Sequence, residues 1–292
     1  MSIERRKIMI RLSAFADEAS PMLDGQIAAM KRNGIEYLEI RGVNGENIAN
    51  ISCEDARKYA EQLDVAGIKV WSIGSPIGKV KIDSDLEAHR AKLRHVCELA
   101  NIFGTDKVRM FSFFEAYESR DKVLDELSAM VGIAAEYGVE LYHENEKAIY
   151  GDTLERVLDI MANVPGLKFV YDPANFLEVG EDSAKTLEAL HSKIDYFHIK
   201  DVISESHTLV PAGFGDGRIG ELVSRISPSE DKVLTLEPHL KVFKGYSDID
   251  ATEMKNKFSY ATNDDAFDAA AQALIKVIFE QGYSKVEGGY KK

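Results

Sequence analysis

Apolar and polar positions along the chain repeat one pattern eight times. Short runs rich in Val, Ile, Leu and aromatic residues occupy positions 9–15, 35–40, 68–73, 107–113, 139–144, 167–172, 194–199 and 232–237. Each has the length and composition of a β-strand. Between them lie segments of helical period, over 25–32, 54–63, 85–102, 120–137, 153–161 and 184–191, a short one after Ile219, and a last over 264–281. Ser52 and Asp152 stand where a helix N-cap belongs. Gly34, Gly67 and Gly138 stand just ahead of strands, where a helix C-terminus calls for glycine. Eight strand–helix units of about 36 residues each fill the 292 positions. This predicts an α/β chain folded as a single-domain (β/α)8 TIM barrel over residues 1–292. The rival, an open doubly wound sheet, expects a glycine-rich loop after its first strand. ADEASPM stands there instead.

Charge narrows the partners. With 36 basic against 49 acidic residues the formal net charge is −13, which disfavours nucleic acid and anionic membrane surfaces as partners. Two cysteines, Cys53 and Cys97, are too few for a disulfide scaffold and read as buried thiols in a reducing compartment. No apolar run approaches the roughly 18 residues of a membrane span, and no signal peptide is legible. The expectation is a soluble cytoplasmic protein.

In barrels of this kind the chemistry sits at the C-terminal ends of the strands. Strand five closes on His143-Glu144-Asn145-Glu146, strand six on Asp172-Pro173-Ala174-Asn175, strand seven on His198-Ile199-Lys200-Asp201, and strand eight on Glu237-Pro238-His239. A lone carboxylate at a strand end is ordinarily a helix cap or a solvated loop group. Four successive strands ending in Glu144, Asp172, His198 and Glu237 are a different matter, because adjacent strand ends lie about 4.8 Å apart and their inward side chains converge. Three carboxylates so placed repel one another. A divalent cation removes the repulsion, and three oxygens with one imidazole suit Mn, Mg, Co or Zn.

These residues, in this order over nearly the whole chain, resemble the xylose-isomerase-like barrel superfamily of sugar phosphate isomerases and epimerases. The family holds ketose 3-epimerases, inosose dehydratase, hydroxypyruvate isomerase and apurinic-site endonucleases. The resemblance implies one ion, manganese foremost, held by Glu144, Asp172, His198 and Glu237, with Glu144 and Glu237 also serving as acid and base on a small carbohydrate. Two positions depart from the pattern: Glu146 and Asn175 stand where many members carry histidine. The runs SIGSP and MFSFF after strands three and four also lack histidine. These absences argue against the multi-zinc endonuclease branch. Proton transfer beside a carbonyl serves an isomerase or epimerase, or a dehydratase if hydroxide is expelled. Dimers or tetramers are common among such barrels.

Further candidates surround this set. Asn175, Lys200, Glu146 and His239 are expected to contact substrate, with a rim salt bridge to Asp201 as the competing role of Lys200. The loop Pro211–Arg218 offers glycine amides and Arg218 to an anion. Arg41 and Glu18 are weaker rim candidates. Trp71 reads as core or pocket wall. The run from Lys241 to Asn263, carrying Phe243, Tyr246, Phe258 and Tyr260, is long enough to cover a site or form a dimer contact.

Overall fold

A computed structural model describes residues 9–241, 255, 256 and 258–292. Eight parallel strands close into a barrel: β1 (Ile10–Ala14), β2 (Tyr37–Ile40), β3 (Lys69–Gly74), β4 (Lys107–Met110), β5 (Glu140–Glu144), β6 (Lys168–Tyr171), β7 (Tyr196–Ile199) and β8 (Lys232–Leu236). Closure comes from β8 pairing with β1 over five residues, Ile10 opposite Lys232 through Ala14 opposite Leu236. All eight predicted strands are present, although β4 stops at Met110 and leaves Phe111–Phe113 in the loop. There Phe113 adopts φ +70, which a strand does not allow.

The outer layer is helical: α1 (Leu23–Asn33), α2 (Cys53–Ala66), α3 (Leu86–Ile102), α4 (Arg120–Glu136), α5 (Leu154–Asn163), α6 (Pro173–Glu178), α7 (Ser183–Leu190), α8 (Ile219–Ser224) and α9 (Asn263–Glu280). Ser52 caps α2 by accepting from the Asp55 amide, and α1 and α2 end on left-handed Gly34 and Gly67. The cap of α5 is Thr153, not Asp152, which is drawn instead into an ion pair with Arg156. A C-terminal hairpin, Ser284–Val286 with Gly289–Lys291, adds antiparallel to β1 through Ile10 and Tyr290. Nothing in the strand pattern foretold it.

Most of the core lies between barrel and helices. Inside the barrel, Tyr142, Val170, Tyr196 and Val233 form a separate plug with Trp71. Tyr196 and His198 lie two apart on β7 and so share its inner face, with ring centroids 5.7 Å apart. The plug is therefore the floor beneath the strand ends. A cavity of about 370 Å³ at the opposite, N-terminal mouth is lined by Arg11, Tyr37, Trp71 and Lys107; Trp71 thus walls a pocket, and none of the candidates from the strand ends reaches it. Among the described residues no helix is long and apolar enough to cross a membrane. Cys97 is buried, whereas Cys53 is partly exposed, contrary to expectation, because it opens α2 at the protein surface.

Candidate active site at the strand ends

The four residues chosen from the strand ends meet. One ligand atom from each of Glu144, Asp172, His198 and Glu237 lies within 4.8 Å of the others, and all four residues are buried. Local structure explains how each arrives. Glu144 is the last residue of β5, and His198 lies inside β7. Glu237 follows β8, its amide donating to Ile199 O at 3.2 Å. Asp172 is the N-cap of α6, with Pro173 at the first helical position, where a fixed φ suits the helix. Its Oδ1 accepts from the Asn175 amide at 3.0 Å. One oxygen of Asp172 thus caps the helix and the other faces the cluster. Asn145 locks this junction, since its Oδ1 accepts from the Asp172 amide at 2.9 Å and its Nδ2 donates to Asp172 O at 2.8 Å.

His198 is the hub. Its Nδ1 lies 2.9 Å from Glu144 Oε1 and 3.0 Å from Glu237 Oε2, and its Nε2 lies 3.1 Å from Glu39 Oε2. Each glutamate has its other oxygen beside an arginine: Arg109 Nε is 3.2 Å from Glu144 Oε2, and Arg41 Nη1 donates to Glu237 Oε1 at 2.9 Å. Asn175 Nδ2 donates to Glu144 Oε1 at 3.3 Å. Lys200 Nζ pairs with Asp172 Oδ2 at 3.1 Å, not with Asp201.

The electrostatics follow from burial and charge together. Burial pushes Asp172 up to about 7 against the pull of Lys200, and the like charges of Glu237 and Glu144 add to the rise. Burial acts against the charged forms of His198 and Lys200, but the surrounding carboxylates overcome it and raise both well above their ordinary values. Burial would likewise raise Glu237, yet His198 and Lys200 hold it well below the carboxylate range.

This chemistry fits a cation. The donor set is three carboxylates and an imidazole. Asp172 Oδ2 and Glu237 Oε2 are buried, and they meet the positive charges of Lys200 Nζ at 3.1 Å and His198 Nδ1 at 3.0 Å. A second group, Glu18, Glu237 and His239, also has ligand atoms within 4.8 Å of one another. A guanidinium already stands among them: Arg41 lies 2.9 Å from Glu237, 3.3 Å from Glu18 and 3.5 Å from His239 Nε2. Burial pushes Glu18 up to about 8 against the pull of Arg41.

The remaining candidates divide. His239 is buried beside Glu18 and Glu237. Glu146 is buried and ion-paired to Lys79 at 3.1 Å. Arg41 and Glu18, the weaker candidates, belong to the site. Arg218 does not, because its guanidinium is exposed and pairs with Glu221 in the next turn. Its glycine loop does wrap an anion, but that anion is the protein's own Asp201, which accepts from the amides of Gly213, Gly215 and Gly217 at 2.8, 3.0 and 2.9 Å. A Cβ on Gly215 would sit 2.4 Å from Asp201 Oδ1, so only glycine allows the approach. Replacing Asp201 by Ala is expected to destabilise the fold by about 3 kcal/mol, since several charge-assisted bonds are lost together. Urea unfolding measures it, and a variant as stable as the parent would contradict this account of the loop. Phe243 and Tyr246 lie outside the described residues. Phe258 packs edge-on against Phe214 and stacks on Tyr260.

Two residues escaped sequence reasoning. Glu39 and Arg109 are buried next-to-last residues of β2 and β4, each with an apolar residue on either side in sequence. A charged residue inside an apolar strand was the available signal.

Comparison with known proteins agrees with this architecture. A curated relative, the 3-dehydroshikimate dehydratase of Bacillus anthracis, is 22% identical over 182 residues, 60% of this chain and 65% of that protein. The chain thus matches somewhat less than two thirds of the relative's length. Among solved structures, D-allulose 3-epimerase from Methylomonas sp. in complex with D-allulose superposes with TM-score 0.71 at 16% identity, covering 92% of this chain and 97% of the other. The IOLI protein with a binding zinc atom gives 0.70 at 17% identity, covering 94% and 99%. A family profile described as xylose isomerase-like TIM barrel matches residues 27–261. With that match over most of its length, the chain belongs to the xylose isomerase-like TIM barrel family.

Proposed function

We propose that the chain is a divalent-metal-dependent isomerase or epimerase of a sugar or sugar phosphate. In this reading Glu144, Asp172, His198 and Glu237 hold one ion, and Glu144 and Glu237 move protons at a carbon next to a carbonyl. The observation that carries the reading is the convergence of these four buried side chains, with ligand atoms within 4.8 Å of one another. Manganese is the first expectation; cobalt, magnesium or zinc meet the same donor set. When bound, the ion supplies Lewis-acid polarisation of a substrate oxygen.

The chain's own residues do the rest. Glu144 and Glu237 come from β5 and the end of β8 and both reach His198 Nδ1; in this reading one removes a proton and the other returns one. Arg109 and Arg41 steady their outer oxygens. Lys200, beside Asp172, places a buried ammonium near developing oxyanion charge. Asn175, His239 and Glu146 are the polar groups available to substrate hydroxyls. Glu39 faces the His198 nitrogen directed away from the cluster and holds the ring in place. The D-allulose complex of one structural relative and the bound zinc of another support a small carbohydrate and a divalent ion.

A second reading, dehydration of an inosose or keto acid on the same scaffold, is favoured by the 3-dehydroshikimate dehydratase relative. Incubation with ketoses, ketose phosphates, inososes and 3-dehydroshikimate in D₂O with Mn²⁺, followed by NMR, separates the two. Deuterium entering beside the carbonyl with the hydroxyl count preserved is the expected result. Loss of water gives the second reading, and no exchange on any substrate of the panel overturns both.

A further inference from the structure

The helical layer holds a second constellation of metal-ligating side chains, apart from the strand ends. Cys53 is the first residue of α2, and His95 and Glu98 lie three apart on α3, a spacing that puts both on one helix face. One ligand atom from each of the three lies within 4.8 Å of the others; Cys53 and His95 are partly buried and Glu98 is exposed. We propose that Cys53, His95 and Glu98 form a binding site for a zinc-class divalent ion that clamps the start of α2 to α3. It stands independently of the function proposed for the barrel.

Three observations support it. First, Cys53 Sγ lies 3.8 Å from Glu98 Oε2. Zinc bound tetrahedrally at ordinary zinc–sulfur and zinc–oxygen lengths sets those two atoms about 3.6 Å apart, so the pair needs almost no movement. Second, His95 Nε2 lies 2.9 Å from Ile51 O. An N–H donated to that carbonyl leaves the lone pair on Nδ1 and fixes the ring, the arrangement that outer partners give metal-bound histidines. Third, the donors form a set: thiolate, imidazole and carboxylate suit a borderline-soft tetrahedral ion, and their two negative charges balance it. The partial exposure of Glu98 leaves room for water as the fourth ligand. Binding deprotonates the Cys53 thiol and releases one proton to solvent, with no redox step. The barrel cluster contains no sulfur, so the two sites can be read separately.

The experiment is a titration of the full chain, stripped by chelation and kept reduced, with Co²⁺ followed by Zn²⁺. The expected result is a thiolate-to-cobalt charge-transfer band in the near ultraviolet, with an intensity of one thiolate-bound ion per chain at saturation, and erased by zinc. The band is lost in Cys53→Ser, weakened in His95→Ala and Glu98→Gln, and kept in Cys97→Ser and His198→Ala. Absence of the band with both thiols reduced overturns the proposal, as does a band that survives Cys53→Ser. Conversely, a His198→Ala chain that binds as many ions as the parent counts against the barrel site and leaves this one standing.

Discussion

Glu237→Gln and Glu144→Gln are each expected to abolish exchange of the substrate's carbon-bound proton with D₂O at saturating metal, a loss of at least about 10²-fold. Gln keeps the size and the polar contacts of Glu but cannot take a proton. Both residues are buried to within a few per cent, and each has one oxygen beside an arginine and the other beside His198 Nδ1. The arginine holds one oxygen of each carboxylate, and the other oxygen, beside His198, faces the cluster. Saturating metal matters because either substitution also weakens a ligand. NMR of the substrate carbon reads exchange directly, without assuming which product forms. Exchange retained in both variants would remove the two glutamates from the chemistry and the isomerase reading with them.

Substituting Glu39 by Gln should weaken metal binding about 10- to 100-fold, the usual cost of losing an outer partner of a metal-bound histidine. Glu39 Oε2 is 3.1 Å from His198 Nε2, and Tyr196 OH donates to its other oxygen at 3.3 Å. The carboxylate accepts the imidazole N–H, fixes which nitrogen faces the cluster, and makes that nitrogen a better donor. A Gln at position 39 can present its amide NH₂ to Nε2 and favour the wrong tautomer. Competition against a chromophoric chelator measures affinity without reference to turnover. A merely structural role for Glu39 would lower stability and leave affinity unchanged, and that result would sink the assignment.

How much of this was legible beforehand follows from where each residue sits. The barrel could be read because its strands are short, apolar and separated by helices with ordinary capping signals, as at Ser52 and Gly67. Glu144, Asp172, His198 and Glu237 could be read because each interrupts an apolar run at its C-terminal end. Glu39 and Arg109 hold in β2 and β4 the same next-to-last place that His198 holds in β7, but they come from strands outside the successive four, and only closure of the barrel brings them to the cluster. Arg41 and Glu18 were underweighted because loop residues carry no periodicity. Arg218 was overweighted for a physical reason: a run of alternate glycines does make an anion-binding cradle, but sequence does not say whose anion fills it. Here Asp201, sixteen residues upstream of Gly217, does. The C-terminal hairpin was missed because a two-turn polar tail has no alternation to read.

The Asn145 side chain has a consequence for how such a rim can change. Its amide gives and takes one hydrogen bond with the Asp172 backbone, as a neighbouring strand would. The pairing of β5 with β6 is thereby carried one rung past the last residues of the two strands. Beyond that rung the loops are free to differ in length and sequence, while Glu144 and Asp172 stay at a fixed separation. A chain that exchanges its rim loops for those of another barrel should keep its cluster intact provided Asn145 is kept, so the border between fixed cluster and exchangeable rim is drawn by one amide.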